Sequence, residues 1–241
     1  MTEKEAYFVR FNLGQRIEHI TVMVLFTLLV LTGLPQKYSG SSWAQWIILT
    51  LGGIDITRLI HRIVGVLFAA STAYHLVHVT YLVLARKVRP TMLFNLKDVR
   101  DAIVTLRYCL GTTREYPQHD RYDYRQKFEY WGILFGGGVM IATGAVLMFP
   151  ILITRLLPGE LVAAAKEAHT WEALLAVLTI VVWHLYGAHL APDRFPADTS
   201  IFTGKISRER ALKEHPLEYG VVASAPHKPE PKPEPAAEPP R

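Results

Sequence analysis

Apolar residues are concentrated in four stretches of this chain, and each stretch is long enough for a helix that crosses a bilayer. They cover residues 17–34, 59–85, 128–149 and 168–190. Because a helix rises about 1.5 Å per residue, roughly 20 apolar residues cross a hydrocarbon layer about 30 Å thick. Residues 43–54 are also apolar but too few to span, so we predict an interfacial or re-entrant segment there.

Polar segments flank the transmembrane domain of residues 17–190, and one of them lies within it. They are an N-terminal arm over residues 1–16, a basic loop over 86–127, a segment over 191–225 and a Pro/Glu-rich tail over 226–241. The arm is too short to fold alone, and the tail is too poor in apolar groups to be ordered. In the loop, Val99, Ile103, Leu106 and Leu110 recur at helical spacing, which favours an amphipathic helix on the membrane surface.

The distribution of lysine and arginine predicts the orientation. The loop contains ten of these residues, the arm three and the chain after residue 190 eight, whereas the connectors over 35–58 and 150–168 contain two each. Positive residues are retained on the cytoplasmic side, so both termini and the loop are predicted to lie in the cytoplasm. The sequence therefore predicts an all-α membrane protein, a bundle of four transmembrane helices with both termini in the cytoplasm.

Composition excludes several classes of function. One cysteine, Cys109, rules out a disulfide within the chain and argues against a thiolate cluster. No CxxCH motif for covalent haem and no glycine-rich phosphate-binding motif is present. The net charge of +5 is explained by the topology, so nucleic acid is not an expected partner.

Histidines in the spans indicate the chemistry, because ionisable groups inside a membrane are costly and usually functional. In the predicted topology His61 and His169 lie near the periplasmic face, whereas His19 and His184 lie towards the cytoplasm. Two b-type haems need two such imidazole pairs from facing helices, one imidazole on each side of each iron. We therefore expect haem b between the helices, with these histidines as iron ligands.

His75 leaves the expected number of haems at two or three. It follows His61 by fourteen residues, about 21 Å along the helix and on nearly the same face. It could replace His19 as the partner of His184 or bind a third haem. A single membrane histidine can instead be a core residue, and zinc would need its ligands clustered in one tetrahedron. Three histidines in the polar segments are expected to be solvated: His119, His215 and His227.

Other residues near the two histidine levels are candidates for holding the cofactor. Arg58 and Arg62 flank His61 and could bind propionates of the outer haem, and Arg16 could do so for the inner haem. Arginines that snorkel at span ends are the alternative. Glycines at three positions could admit the porphyrin or serve helix packing alone: Gly33, Gly65 and Gly144.

Several motifs together resemble the cytochrome b subunit of membrane-bound formate dehydrogenase. They are RIEHI in the first span, HRIVG in the second, YDYRQKFEYW and ATG in the third, HTWEALLAVLTIVVWHLYGAH in the fourth, and GKISRERALKEHP after it. The resemblance covers roughly residues 7–219. The wider group includes the b-type subunits of nickel–iron hydrogenase and thiosulfate reductase.

The resemblance implies a subunit that binds two haems and passes electrons between a periplasmic partner and menaquinone or ubiquinone. The partner would be an iron–sulfur or molybdopterin oxidoreductase subunit, or a multihaem cytochrome c. It also implies that His61 and His169 bind the outer haem, that His19 and His184 bind the inner haem, and that the quinone site lies beside the inner haem near the start of the third span. Candidates for quinone contacts and proton transfer there are Glu18, Asp123, Gln126, Lys127 and Glu129.

Three features depart from the formate dehydrogenase pattern. The spacing from His169 to His184 is one residue longer, which rotates one ligand by about 100° unless the helix bulges. Asp123 to Lys127 replace an Asn-Ala-Gly-Gln-Lys stretch at the quinone site, and His75 is additional. His75 favours the branch that accompanies multihaem cytochromes c. The alternatives are a membrane anchor without redox function and an ascorbate-using cytochrome b561-type reductase, which usually has more spans.

Overall fold

The structure, a computed structural model, describes residues 7–191 and 194–224, and for residues 221–224 the backbone alone. Its helices are α1 Leu13–Lys37, α2 Ser42–Thr50, α3 Ile54–Leu84, α4 Leu96–Cys109, α5 Tyr124–Met148, α6 Pro150–Leu156, α7 Glu160–Leu178, α8 Ser200–Thr203, α9 Arg208–Glu214 and α10 Pro216–Ser224. Two short strands, β1 Tyr7–Val9 and β2 Lys205–Ser207, form one antiparallel pair. The predicted tail, residues 226–241, lies outside the described residues.

Four helices in the described ranges are long and apolar enough to cross a membrane, which confirms the predicted number of spans. They are α1, α3, α5 and the helix over Glu160–Leu190, and each begins four to eight residues before the predicted span. Polar first turns account for the earlier starts, because hydropathy does not detect them. The outward apolar side chains are largely exposed, as expected for surfaces that contact lipid.

The bundle consists of two helical hairpins. α1 packs along α3, α5 packs along the fourth span, and α3 contacts α5 between the hairpins. The short α2 joins α1 to α3, in agreement with the predicted segment that does not span. The basic loop contains α4, the helix expected from its apolar spacing.

The fourth span changes its helix type halfway along. After α7, π-helical turns run over Thr179–His184 and Tyr186–Leu190. A π-helical turn contains one residue more than an α-helical turn. The first stretch, Thr179–His184, lies between the two histidines and is the bulge that the longer spacing between His169 and His184 requires.

Both polar ends of the chain fold into one unit, which we call the terminal unit: β1, β2 and helices α8 to α10. Ile206, Ala211 and Tyr219 form its buried core, and Phe8 stacks on Tyr219 with ring centres 5.0 Å apart. Tyr7–Val9 therefore form a strand by pairing with residues about 200 positions later in the chain.

Two histidines contradict the expectation of solvated side chains. His119 is only 7% exposed and His215 only 3%. His215 donates from Nδ1 to the carbonyl oxygen of Asp120 at 2.8 Å, and burial followed by the nearby charge of Arg10 lowers the pKa of His215 to about 4. The expectation was wrong because contacts between distant segments cover both rings, and local polarity does not reveal such contacts.

Candidate functional site

His61 on α3 and His169 on α7 face each other across the bundle. Their ring centres lie 6.3 Å apart, with the ring planes at 80°. A metal–imidazole bond is about 2 Å long and a ring centre lies about 1.1 Å from the bonded nitrogen, so two imidazoles that face each other across one metal ion have centres about 6.2 Å apart. The separation at this level therefore fits one metal ion between the two rings.

Threonines on the neighbouring helices orient both rings. Thr32 Oγ1 lies 2.9 Å from His61 Nδ1, and Thr143 Oγ1 lies 2.9 Å from His169 Nδ1. Each hydroxyl donates its own hydrogen to the carbonyl oxygen four residues earlier, at 2.7 and 2.6 Å. The hydroxyl oxygens are thus left to accept from Nδ1–H, which assigns the proton to Nδ1 and leaves Nε2 free to bind a metal.

A glycine beside each threonine makes room for the ring. A Cβ atom at Gly33 would lie 3.0 Å from His61 Cε1, and one at Gly144 would lie 3.3 Å from His169 Cε1. A Cβ at Gly65 would meet nothing within 4 Å. In this structure Gly33 and Gly144 therefore admit an imidazole, whereas Gly65 has open space beside it.

The second pair, His19 on α1 and His184 on the fourth span, has ring centres 6.0 Å apart. His184 Nδ1 lies 2.8 Å from a carboxylate oxygen of Glu129, so its Nε2 remains available. His19 Nδ1 is buried without a hydrogen-bond partner. The separation at this level is close to that at the first, so His19 and His184, like His61 and His169, could together hold a metal-containing group such as a haem.

His75 lies at the inner level but has other partners. Its Nδ1 lies 2.7 Å from Glu18 and its Nε2 lies 2.9 Å from the hydroxyl of Tyr130. The second carboxylate oxygen of Glu18 lies 2.9 Å from His78 Nδ1. Both ring nitrogens of His75 are therefore used in hydrogen bonds, and the four side chains form one connected chain.

The two hairpins repeat the same arrangement. Five residues of α1 and its cap recur 111 positions later in α5 and its cap, as Asn12 and Asp123, Gln15 and Gln126, Glu18 and Glu129, Thr32 and Thr143, and Gly33 and Gly144. Their contacts recur too, since each glutamate binds a histidine in the C-terminal half of the next span. The bundle thus has an approximate two-fold axis that relates His61 to His169 and His75 to His184. Tyr130 then corresponds to His19.

The arginine candidates differ in their surroundings. Arg58 is exposed and lies 3.8 Å from Asp55, and Arg62 is exposed on the same helix. Arg16 donates to the carbonyl oxygen of Phe202 in the terminal unit, while its Nε is buried without a partner. Of the three arginine candidates, Arg16 is therefore the one whose buried Nε–H group could still donate a hydrogen bond to a cofactor near His19.

Residues at the start of the third span have structural partners of their own. Asp123 and Gln126 cap α5 reciprocally, each side chain accepting from the other's backbone N–H at 2.8 and 3.1 Å. Although burial raises the pKa of Asp123, the charge of Arg125 and the Gln126 backbone hydrogen bond bring this pKa below its usual value. Lys127 is only 5% exposed and forms an ion pair with Asp98 on α4, with N–O distances of 2.8 and 2.9 Å.

Sequence reasoning missed Thr32, Thr143 and Asp98. The recurring Thr-Gly dipeptide, with a glutamate fourteen residues before it in each hairpin, was the available signal for the threonines. Asp98 gave no such signal, because it is one of several carboxylates in a charged loop.

Comparison with known proteins relates the chain to membrane cytochromes. The sequence model described as "Prokaryotic cytochrome b561" matches residues 10–203. The cytochrome b556(Fdn) subunit of the nitrate-inducible formate dehydrogenase of Escherichia coli K12 is 23% identical over 222 residues, which cover 92% of this chain and 94% of that protein. The cytochrome b556(fdo) subunit of formate dehydrogenase from the same strain is 23% identical over 214 residues, 89% of this chain and 92% of that protein.

Proposed function

Since the chain belongs to the prokaryotic cytochrome b561 family, we propose that it carries electrons across the membrane between a periplasmic redox partner and the quinone pool. Family membership and the four spans make it a multi-pass protein of the bacterial inner membrane that binds b-type haem and functions in electron transport. The finer proposal adds the number of haems, their ligands and the redox partners at each end.

We assign two haems, an outer one to His61 and His169 and an inner one to His19 and His184. The ring-centre separations of 6.3 and 6.0 Å at two levels are the observation that carries this assignment. Hydrogen bonds at both nitrogens of His75 favour two haems over three. When bound, haem supplies a reversible one-electron couple whose potential depends on its ligands, their hydrogen bonds and burial.

The protein's own contribution is to hold and orient the imidazoles. Thr32 and Thr143 keep the proton on Nδ1 at the outer level, and Glu129 holds His184 by a charged hydrogen bond at the inner level. A carboxylate partner makes an imidazole a stronger donor to iron than a hydroxyl partner does. The outer and inner sites would therefore differ in potential, with the inner one lower.

The quinone site is assigned to the cytoplasmic side, beside His184 and the start of α5. Of the five candidates for quinone contacts, Asp123 and Gln126 are engaged in capping the helix. The other three candidates also have partners: Lys127 pairs with Asp98, Glu129 with His184, and Glu18 with His75 and His78. The arrangement agrees with cytoplasmic termini, which the lysine and arginine distribution favours.

The periplasmic partner is proposed to be an oxidoreductase subunit that contains iron–sulfur clusters and molybdopterin, or a multihaem cytochrome c. The two Escherichia coli relatives are named as subunits of formate dehydrogenases, which supports a partner of the first kind. The additional His75 was the reason to consider the second kind.

Haem stoichiometry in ligand variants tests the proposal. The full chain, purified from haem-replete cells, should contain two haems with a reduced spectrum typical of cytochrome b. His61→Ala and His184→Ala should each retain one haem, and the double variant none. His75→Ala is the matched control and should retain both.

A colourless wild-type protein would refute the redox function and favour a membrane anchor. If His75→Ala loses one haem while His19→Ala retains both, His75 rather than His19 is the ligand of the inner haem.

A further inference from the structure

A polar cavity of about 290 Å³ lies between the basic loop and the start of α5. Exposed residues of the loop form its rim, among them Arg89, Pro90 and Asp120. Its inner wall contains Asp98, Asp101, His119 and Lys127, all less than 8% exposed. The cavity has room for several water molecules. The cavity therefore connects the exposed surface of the loop to buried ionisable groups at the start of the third span.

His119 is the side chain in this wall whose bonding is incomplete. Both of its ring nitrogens are buried without a hydrogen-bond partner, although Asp101 lies 3.7 Å from Nδ1. Unpaired buried nitrogens are costly unless water or a transient partner satisfies them. Burial lowers the pKa of His119, and the charges of Asp123 and Asp101 only partly oppose this effect.

Lys127 and Asp98 form the inner end of the cavity. The pair is buried on both sides, and burying two charges costs free energy that their mutual attraction only partly returns. Lys97, beside them, is paired with Asp101, and Arg121 with Glu218. The cavity lining thus contains both proton donors and proton acceptors, from Arg89 and Asp120 at the rim to Lys127 in the first turn of α5.

We propose that this cavity is the passage by which protons move between the cytoplasm and the quinone, with His119, Asp98 and Lys127 as the groups that transfer them. The inference rests on the proposed function, which assigns the quinone to the start of α5. Oxidation of one quinol gives two electrons, one for each haem, and two protons that leave through the passage. Reduction of a quinone reverses both flows.

Single-turnover oxidation of a menaquinol analogue tests the passage. The haem-loaded full chain in lipid nanodiscs is mixed with the quinol, and haem reduction is followed by stopped flow. Asp98→Asn and His119→Ala should slow this reaction at least about tenfold, since positioned acid–base groups contribute on the order of 100-fold or more. Added imidazole should restore the rate of His119→Ala, because a small base can replace the missing ring. Glu115→Gln, an exposed carboxylate of the same loop outside the cavity, is the matched control.

A second readout does not depend on turnover. The hydrogen on Cε1 of His119 exchanges slowly with deuterated solvent and can be followed by mass spectrometry. If the cavity is filled with water, its exchange rate should be within about tenfold of the rate in free histidine. An exchange rate more than about 100-fold below that of free histidine would mean that the cavity is sealed from solvent, and it would overturn the proposal.

The kinetic outcomes separate the two proposals. Wild-type rates in Asp98→Asn and His119→Ala, with both haems retained, would overturn the passage and leave the electron-transfer function intact. If the rate of haem reduction falls only in proportion to the loss of haem, these residues have a structural role, and the proposed proton passage is overturned as well. A wild-type protein that binds haem but is not reduced by quinol would instead contradict the proposed quinone reaction.

Discussion

Gly33→Ala should remove the outer haem without unfolding the chain. The new Cβ would lie 3.0 Å from His61 Cε1. Carbon atoms in contact normally lie about 3.5–4.0 Å apart, so the imidazole must move by about 0.5 Å or more. Metal–ligand distances tolerate only about 0.2 Å, and the displaced ring would no longer bind iron properly. The helix itself should not suffer, because alanine is favoured over glycine in a helix by about 1 kcal/mol.

The assay is haem content per chain together with thermal unfolding. Gly33→Ala should retain one haem and melt no lower than the wild-type apoprotein. Gly144→Ala, where the clash with His169 Cε1 is milder at 3.3 Å, should weaken haem binding less. Gly65→Ala, with nothing within 4 Å, should bind both haems. Two haems with an unchanged spectrum in Gly33→Ala would refute the view that this glycine makes room for an iron ligand.

Three further predictions concern hydrogen bonds of histidines. Thr143→Val leaves Nδ1–H of His169 without its acceptor and should lower haem affinity about 10- to 100-fold in a competition assay, whereas Thr143→Ser should not. Glu129→Gln removes a negative charge from His184 and should raise the midpoint potential of the inner haem by on the order of tens of millivolts in a redox titration. His215 has a pKa depressed from 6.5 to about 4, so the stability it contributes is present above pH 6.5 and is lost as the pH falls towards 4. At about 1.4 kcal/mol per pKa unit the loss approaches about 3 kcal/mol. The protection factors of the amides in residues 205–219, which compare each exchange rate with that of an unstructured peptide at the same pH, should therefore fall at pH 5 in the wild type but much less in His215→Gln.

The spans and the pairing of four histidines could be predicted because both follow from local rules. Apolar length determines a membrane helix, and spacing along it determines the depth of each histidine. Depth paired His61 with His169 and left His19 or His75 as the partner of His184; the structure brings His61 to His169 and His19 to His184. The roles of these residues as iron ligands remain predictions.

The surroundings of the histidines could not be predicted, because they depend on contacts between distant residues. The burial of His215 depends on a carbonyl group 95 positions earlier. The pairing of Lys127 with Asp98 depends on how the basic loop folds back on α5. Likewise, the sequence could state that the fourth span needs a bulge, but only the structure locates it over Thr179–His184.

The repeat of one hairpin in the other has a consequence for the number of imidazole pairs. Two identical hairpins related by a two-fold axis would form one symmetric imidazole pair on the axis, as His61 and His169 do here. The same symmetry would create two equivalent inner sites off the axis. Tyrosine at position 130, where its counterpart is His19, leaves only one of them with two imidazoles. One tyrosine therefore makes the difference between a branched set of three imidazole pairs and a linear set of two.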